Sequence, residues 1–200
     1  MVIFKILRRV NSIVQSRLGF KKFGKDSVIK FPHRIWNKDC IEIGENVFIV
    51  ENSFIAVSKE FRGQKFKPLV KIGNNVEIGG NFILGCIKNV VIEDNVIIAD
   101  RVFISDHIHD FENIKIPIRL QRLKSMGSIL IKSGAFIGVN SVILSGVTIG
   151  KNSVIGASSV VTKSVPDYAV VAGNPARILR TYNIKKKKWE KYKQNSISVK

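Results

Sequence analysis

The side chains able to move a proton near neutral pH are three histidines, His33, His107 and His109. Two of them share the run Ser105-Asp106-His107-Ile108-His109-Asp110. An imidazole, with an ordinary pKa near ~6.5, can take the proton of an attacking hydroxyl or amine and return it to a departing thiolate. His33 follows Pro32 with no acidic neighbour close in sequence and reads as structural. No activated nucleophile accompanies them. The chain has no GxSxG elbow, and Cys40 and Cys86 form no CxxC pair and have no histidine beside them. Direct transfer between two bound substrates is therefore expected, rather than a covalent acyl-enzyme.

Those histidines must be positioned by something regular, and the sequence has a period. Aliphatic residues recur every six positions at Ile43, Ile49 and Ile55, at Ile72, Ile78 and Leu84, at Ile92, Ile98 and Ile104, and in the long run Ile131, Ile137, Ile143, Ile149, Ile155 and Val161. Glycine follows at Gly44, Gly73, Gly79, Gly138, Gly150 and Gly156. Six fits neither a helix at 3.6 nor a long strand at 2, but it fits a short strand and a tight corner. Asn75 and Asn152, just past such glycines, tolerate the left-handed backbone that a corner needs. Three units close a triangular coil, and coils stacked at ~4.8 Å turn the register into internal ladders of Ile and Val. The expectation is an all-β parallel β-helix prism.

The repeat is broken at 57–69, where a basic loop intervenes, at Gly85 to Val91, where the phase slips by two residues, and at 106–128, where it stops. His107 and His109 lie at the entrance to that last insertion. The chain divides into 1–40, an amphipathic helix and cap region; 41–180, the repeats; and 181–200, a short basic tail expected to be largely solvated. In the first segment Ile3, Ile6, Leu7, Val10, Ile13, Val14 and Leu18 fall at helical spacing among Lys5, Arg8, Arg9 and Arg17. This helix can cap the open prism end, lie on anionic lipid, or do both. A formal charge of +18 attracts anions in general, and no motif singles out nucleic acid. Apolar runs fall well short of the ~20 residues of a membrane span, and no signal peptide is evident, so a cytoplasmic chain is expected, with peripheral contact at the inner membrane face as an option.

With its in-phase hexads and the stretch Gly146 to Arg180, the chain resembles the hexapeptide-repeat acyltransferases, whose prisms are left-handed and trimeric. The resemblance covers roughly residues 41–180. It implies an acetyl-CoA-dependent O-acetyltransferase acting on a sugar hydroxyl of a surface or capsular glycan or its precursor. His107 matches the general base of relatives such as the galactoside and maltose enzymes. Asp106 would orient the ring or cap the loop, and the loop role is favoured, because a backbone carbonyl fixes a tautomer equally well. The resemblance places the oxyanion donor near Gly138, coenzyme A against Ala157, Thr162 and Lys163, and its phosphates on Arg177 and Arg180. Acceptor contacts fall to Asn81, His109 and Phe136. Two of these depart from the family, since Phe136 replaces a tryptophan and Asn81 only neighbours the usual asparagine position, which is Gly79 here.

The implied partners are two further copies of the chain and a sugar or glycan acceptor, with no nucleic acid and no metal. The β-helical γ-carbonic anhydrases need three histidine ligands from different coils, which this sequence does not offer. Transfer to an amino-sugar nucleotide, transfer to a chloramphenicol-type xenobiotic, and a non-catalytic assembly subunit stay open.

Overall fold

The computed structural model describes residues 2–192, with side chains from residue 9 onward. The side chains of Ile3, Lys5, Ile6, Leu7 and Arg8, and the last eight residues of the basic tail, lie outside the described residues. The fold is a left-handed parallel β-helix prism with three stacked sheets. The first face runs from Lys22–Phe23 through Ile41–Ile43, Leu69–Ile72, Asn89–Ile92 and Ile129–Ile131 to Thr148–Ile149. The second begins at Val28–Ile29 and passes through Phe136–Ile137 and Val154–Ile155 to Ala169–Gly173. The third goes from His33–Trp36 through Ser53–Val57, Ile83–Cys86, Phe103–Ser105 and Val142–Ile143 to Val160–Val161.

The six-residue period is the register itself. Ile43 pairs with Ile72, Ile72 with Ile92, Ile92 with Ile131 and Ile131 with Ile149, all buried in one ladder. Each such side chain is worth roughly 1.5–3 kcal/mol of burial, and equivalent ladders fill the other two faces. Corners take the left-handed backbone at Asn46, Asn75 and Asn152, with φ of 54°, 53° and 49°. Asn46 and Asn75 also hydrogen-bond side chain to side chain at 2.9 Å, tying adjacent coils.

Two boundaries differ from the sequence reading. The prism begins before residue 41, because Phe23, Ile29 and Ile35 pair with Ile43, Ile49 and Ile55 and complete a first coil inside the presumed cap region. Those residues are also six apart, so the signal was present. The C-terminal segment is not simply a solvated tail: Ala176–Asn183 folds back antiparallel on Ala169–Gly173, and Lys188–Lys191 pairs with it in turn. Tyr182 and Trp189 meet edge to face at 5.5 Å across this hairpin, which supplies the apolar contact a lysine-rich turn lacks.

The outward rows of the faces are unequal. The first face opens with Lys22, Glu42 and Lys71 in register. On the second, Ile97, Phe136 and Val154 form a row, and on the third Phe54, Ile83, Phe103 and Val142 do. Two sides of the prism therefore present contiguous apolar surface, with Ile83, Ile97, Phe103 and Phe136 each about two-fifths exposed or more.

Candidate active site

The three interruptions read in the sequence fall on one corner, between the third and first faces, in successive coils. Val57 and Cys86 are register partners, as are Gly85 and Ser105, and Leu69 pairs with Asn89 on the next face. The insertions at 57–69 and 106–128 are thus stacked with the two-residue slip between them. They also grip each other: the Gln64 side chain donates to the Leu123 carbonyl at 3.1 Å and accepts from the Leu123 N–H at 2.7 Å. Phe61 lies edge-on to His109, with ring centres 5.5 Å apart. Neither Phe61 nor Gln64 was identified from the sequence, because their contacts join separate insertions about fifty to sixty residues apart.

His107 stands where this corner opens. Asp106, fully buried, accepts from His107 Nδ1 at 3.0 Å, from the amides of Ile87 and Lys88 at 2.9 and 2.8 Å, and from the Cys86 thiol at 3.4 Å. The slip of two residues is what turns those two amides toward it. Burial opposes the charge on Asp106, but His107 and the two amides outweigh it, holding the carboxyl below its ordinary value. Burial and the adjacent carboxylate push the Cys86 thiol up, so it serves as a donor and not as a nucleophile. Asp106 therefore does both jobs, capping the corner and orienting the ring, which corrects the preference for the loop role alone. An ionised carboxylate only accepts, so His107 Nδ1 carries the hydrogen and Nε2 is left as an acceptor.

Two neighbours complete the setting. The Ser145 hydroxyl donates to the Asp106 carbonyl at 2.6 Å, and the Ser105 hydroxyl to the His107 carbonyl at 2.7 Å. Gly85 leaves the space for the ring, since a Cβ there would lie 3.1 Å from His107 Cε1 and 3.3 Å from Ser105 Oγ.

The other sequence-derived residues are not gathered around His107 within one chain. Thr162 and Lys163 follow Val160–Val161 and so share its corner, in the last coil. Asn81, Gly138 and Ala157 occupy the next corner round the triangle, between the second and third faces, and Phe136 points outward from the second face. Asn81 has a left-handed backbone, φ 56°, so corner geometry alone accounts for an asparagine there. The Gly138 N–H donates to the Ile155 carbonyl at 2.8 Å, and a Cβ on Gly138 would collide with the Ala157 nitrogen at 2.6 Å. Gly138 is thus a packing glycine whose amide is already engaged, which corrects its assignment as oxyanion donor. The amides of Val139 and Ala157, beside it and one coil on, have no hydrogen-bond partner among the described residues.

At the end of the prism Lys163 and Arg177 line a cavity of about 440 Å³ with Ser164, Ala176 and Tyr192. Arg180, on the returning strand, is exposed and outside that lining. Two cations at the rim of a cavity lined mostly by aliphatic side chains fit the phosphate end of an extended thioester donor.

The chain is thus a prism of in-register hexads with a carboxylate-backed imidazole where the insertions meet. Residues 128–163 match the bacterial transferase hexapeptide family (six repeats). Across 192 residues, 92% of each chain, the sequence is 30% identical to the putative lipopolysaccharide biosynthesis O-acetyl transferase WbbJ of Escherichia coli. Among solved structures it resembles AntD, an N-acyltransferase from Bacillus cereus in complex with dTDP and 3-hydroxybutyryl-CoA, with a TM-score of 0.73 and 26% identity over 86% of this chain and 89% of that one. A hexapeptide-repeat-containing acetyltransferase from Vibrio cholerae complexed with acetyl coenzyme A matches with a TM-score of 0.62 and 25% identity over 90% of this chain and 83% of that one. The chain belongs to the hexapeptide-repeat transferases and is an acyltransferase.

Proposed function

We propose that the protein transfers an acetyl group from acetyl-CoA to a hydroxyl of a sugar, at sites shared between the subunits of a trimer. The observation that carries this reading is His107, held by Asp106 with Nε2 free at the corner where both insertions meet. A hydroxyl is a poor nucleophile until its proton is taken, and His107 Nε2 takes it as the oxygen attacks the thioester carbonyl. The developing oxyanion falls to the unengaged Val139 amide instead of to Gly138. Collapse expels the thiolate, and His107 returns the proton to it. Ala157 and Thr162 line the pantetheine arm, Lys163 and Arg177 hold phosphates, and His109 with Phe61 and Phe136 faces the acceptor. The O-acetyl relative aligned over almost the whole chain supports a hydroxyl acceptor. The likeness to an N-acyltransferase favours a second reading, a sugar amine. Alkaline hydroxylamine separates them, since it releases acetyl from an ester and leaves an amide.

Assembly follows from the placement of the groups. His107 and the Val139–Ala157 wall lie on different edges of one prism, and two outer faces are apolar, so a neighbouring prism must complete each site. Complementation tests this. His107→Ala alone should lower transfer roughly 10²-fold or more, and Ala157→Phe should block the donor wall. Co-expressed in equal amounts and purified as mixed trimers, the two variants should recover roughly one quarter of wild-type sites, because only one neighbour pairing in four restores both halves. Recovery no greater than either variant alone would place the whole site within one chain.

A further inference from the structure

Amphipathic helices on globular proteins turn their apolar stripe toward the core. The N-terminal helix Val2–Ser16, over its described side chains from Arg9 to Ser16, is seated the other way round. Among its described side chains the buried ones are Ser12 and Gln15. The Ser12 hydroxyl donates to the Gly24 carbonyl at 3.1 Å. The Gln15 amide donates to the Ile29 carbonyl at 2.7 Å and accepts from the Ile29 N–H at 2.9 Å, replacing the strand that a preceding coil would have supplied. The cap is thus made by polar side chains. At 3.6 residues per turn the opposite side carries Val10, Ile13 and Val14, which are 55%, 54% and 56% exposed, with Leu18 following at 46%. Nothing among the described residues covers them.

Charge selects what does. The first 38 residues contain ten Lys and Arg against a single acid, Asp26, so half of the chain's formal +18 sits at this end. Lys21 and Lys30 pair with Glu42 and Glu51 at 2.9 and 3.5 Å. Arg9, Arg17, Lys22 and Lys25 are exposed and have no ion pair among the described residues. A second copy of this face would bring the same positive charge and be repelled. An apolar stripe set among cations is instead complementary to a surface with an anionic skin and an apolar interior.

We propose that this end of the protein docks on an anionic lipid bilayer, with Val10, Ile13, Val14 and Leu18 entering the boundary below the headgroups and the cations meeting lipid phosphates. Contact is peripheral, since among the described residues no helix is long and apolar enough to cross a membrane. In a three-fold assembly of parallel prisms all three helices stand at the same end, so weak single contacts add as one multivalent contact.

The test is co-sedimentation of the full-length protein with vesicles of phosphatidylcholine alone or with about 30% phosphatidylglycerol, at low and high salt. Partitioning should be at least ~10-fold greater on the anionic vesicles and fall with salt. The double variant Ile13→Asp, Val14→Asp should lower it at least ~10-fold, with oligomeric mass and thermal unfolding unchanged because these side chains support nothing in the prism. Arg9→Glu with Arg17→Glu should act in the same direction. Equal binding to neutral vesicles, or undiminished binding by both double variants, overturns the proposal. A change of oligomeric mass in the Asp variant would assign the face to another copy of the chain and also overturn it.

Discussion

Replacing Asp106 with Asn changes almost no volume but sets the donors at one of its two oxygen positions against an amide nitrogen. One oxygen of the carboxylate serves His107 and Ile87, and the other serves Lys88 and Cys86. An amide nitrogen in the second position faces the Lys88 N–H; in the first it faces the Ile87 N–H and turns His107 Nδ1 into the acceptor, moving the hydrogen to Nε2. Either way a buried main-chain donor loses its partner, at about 1–3 kcal/mol. For a domain of this length that corresponds to a Tm lower by roughly 2–12 °C. Turnover should fall by at least ~10-fold, toward the ~10²-fold or more expected for loss of the base itself, because even an amide that keeps its oxygen on His107 lacks the charge that favours the imidazolium formed as the proton is taken, while the donor KM stays near wild type. The stability loss has a pH signature. Because the folded carboxyl titrates below its ordinary value, its stabilisation is complete above the unfolded value of about 3.9 and is lost as pH falls through the lower folded value. The gap in unfolding free energy between wild type and variant should therefore be widest above about pH 5 and shrink as the pH falls through the unfolded value toward the lower folded one. Thermal melts across that range with steady-state kinetics at neutral pH check both halves. A variant with lower Tm but unchanged kcat would remove the orienting role of Asp106, and one unchanged in both would refute the buried network.

Gly85→Ala should separate activity from stability: the new Cβ, 3.1 Å from His107 Cε1, shifts the ring by a few tenths of an ångström. We expect kcat to fall roughly 3- to 10-fold with no loss of Tm, since alanine has fewer unfolded conformations to surrender than glycine; unchanged kcat would show that the ring has room to spare. Lys163→Ala and Arg177→Ala should each raise the donor KM by roughly 10-fold with a smaller change in kcat, and Arg180→Ala, outside the cavity lining, by clearly less. Equal effects of all three, measured with acetyl-CoA as the varied substrate, would move the phosphates out of that cavity.

What was legible in the sequence is what the repeat dictates. A period of six sets the register, so Ile131 to Val161 could be laid into ladders before any coordinate was known, and the same logic extends to Phe23, Ile29 and Ile35 once a coil without flanking repeats is admitted. His107 was singled out because its imidazole lies beside an interruption of a regular scaffold and matches the general base of the family that the chain resembles. The unseen part of the site consists of contacts that no spacing encodes. Gln64 meets Leu123 and Phe61 meets His109 only because two insertions leave the same corner in neighbouring coils. The duty of Asp106 was misjudged for a related reason: its partners, the amides of Ile87 and Lys88, carry no side-chain signature, and only the phase slip at Gly85 to Val91 marks where they become available. Gly138 shows the converse limit. The resemblance points to the neighbourhood of Gly138, but the ladder bond to Ile155 takes the Gly138 amide and leaves the Val139 amide beside it without a partner among the described residues. In a β-helix the hexad fixes which side chains point inward, and chemistry is left to the amides and insertions that the hexad does not use. A candidate site in such a chain is therefore best sought by asking, corner by corner, which main-chain donors the stacking leaves without a partner.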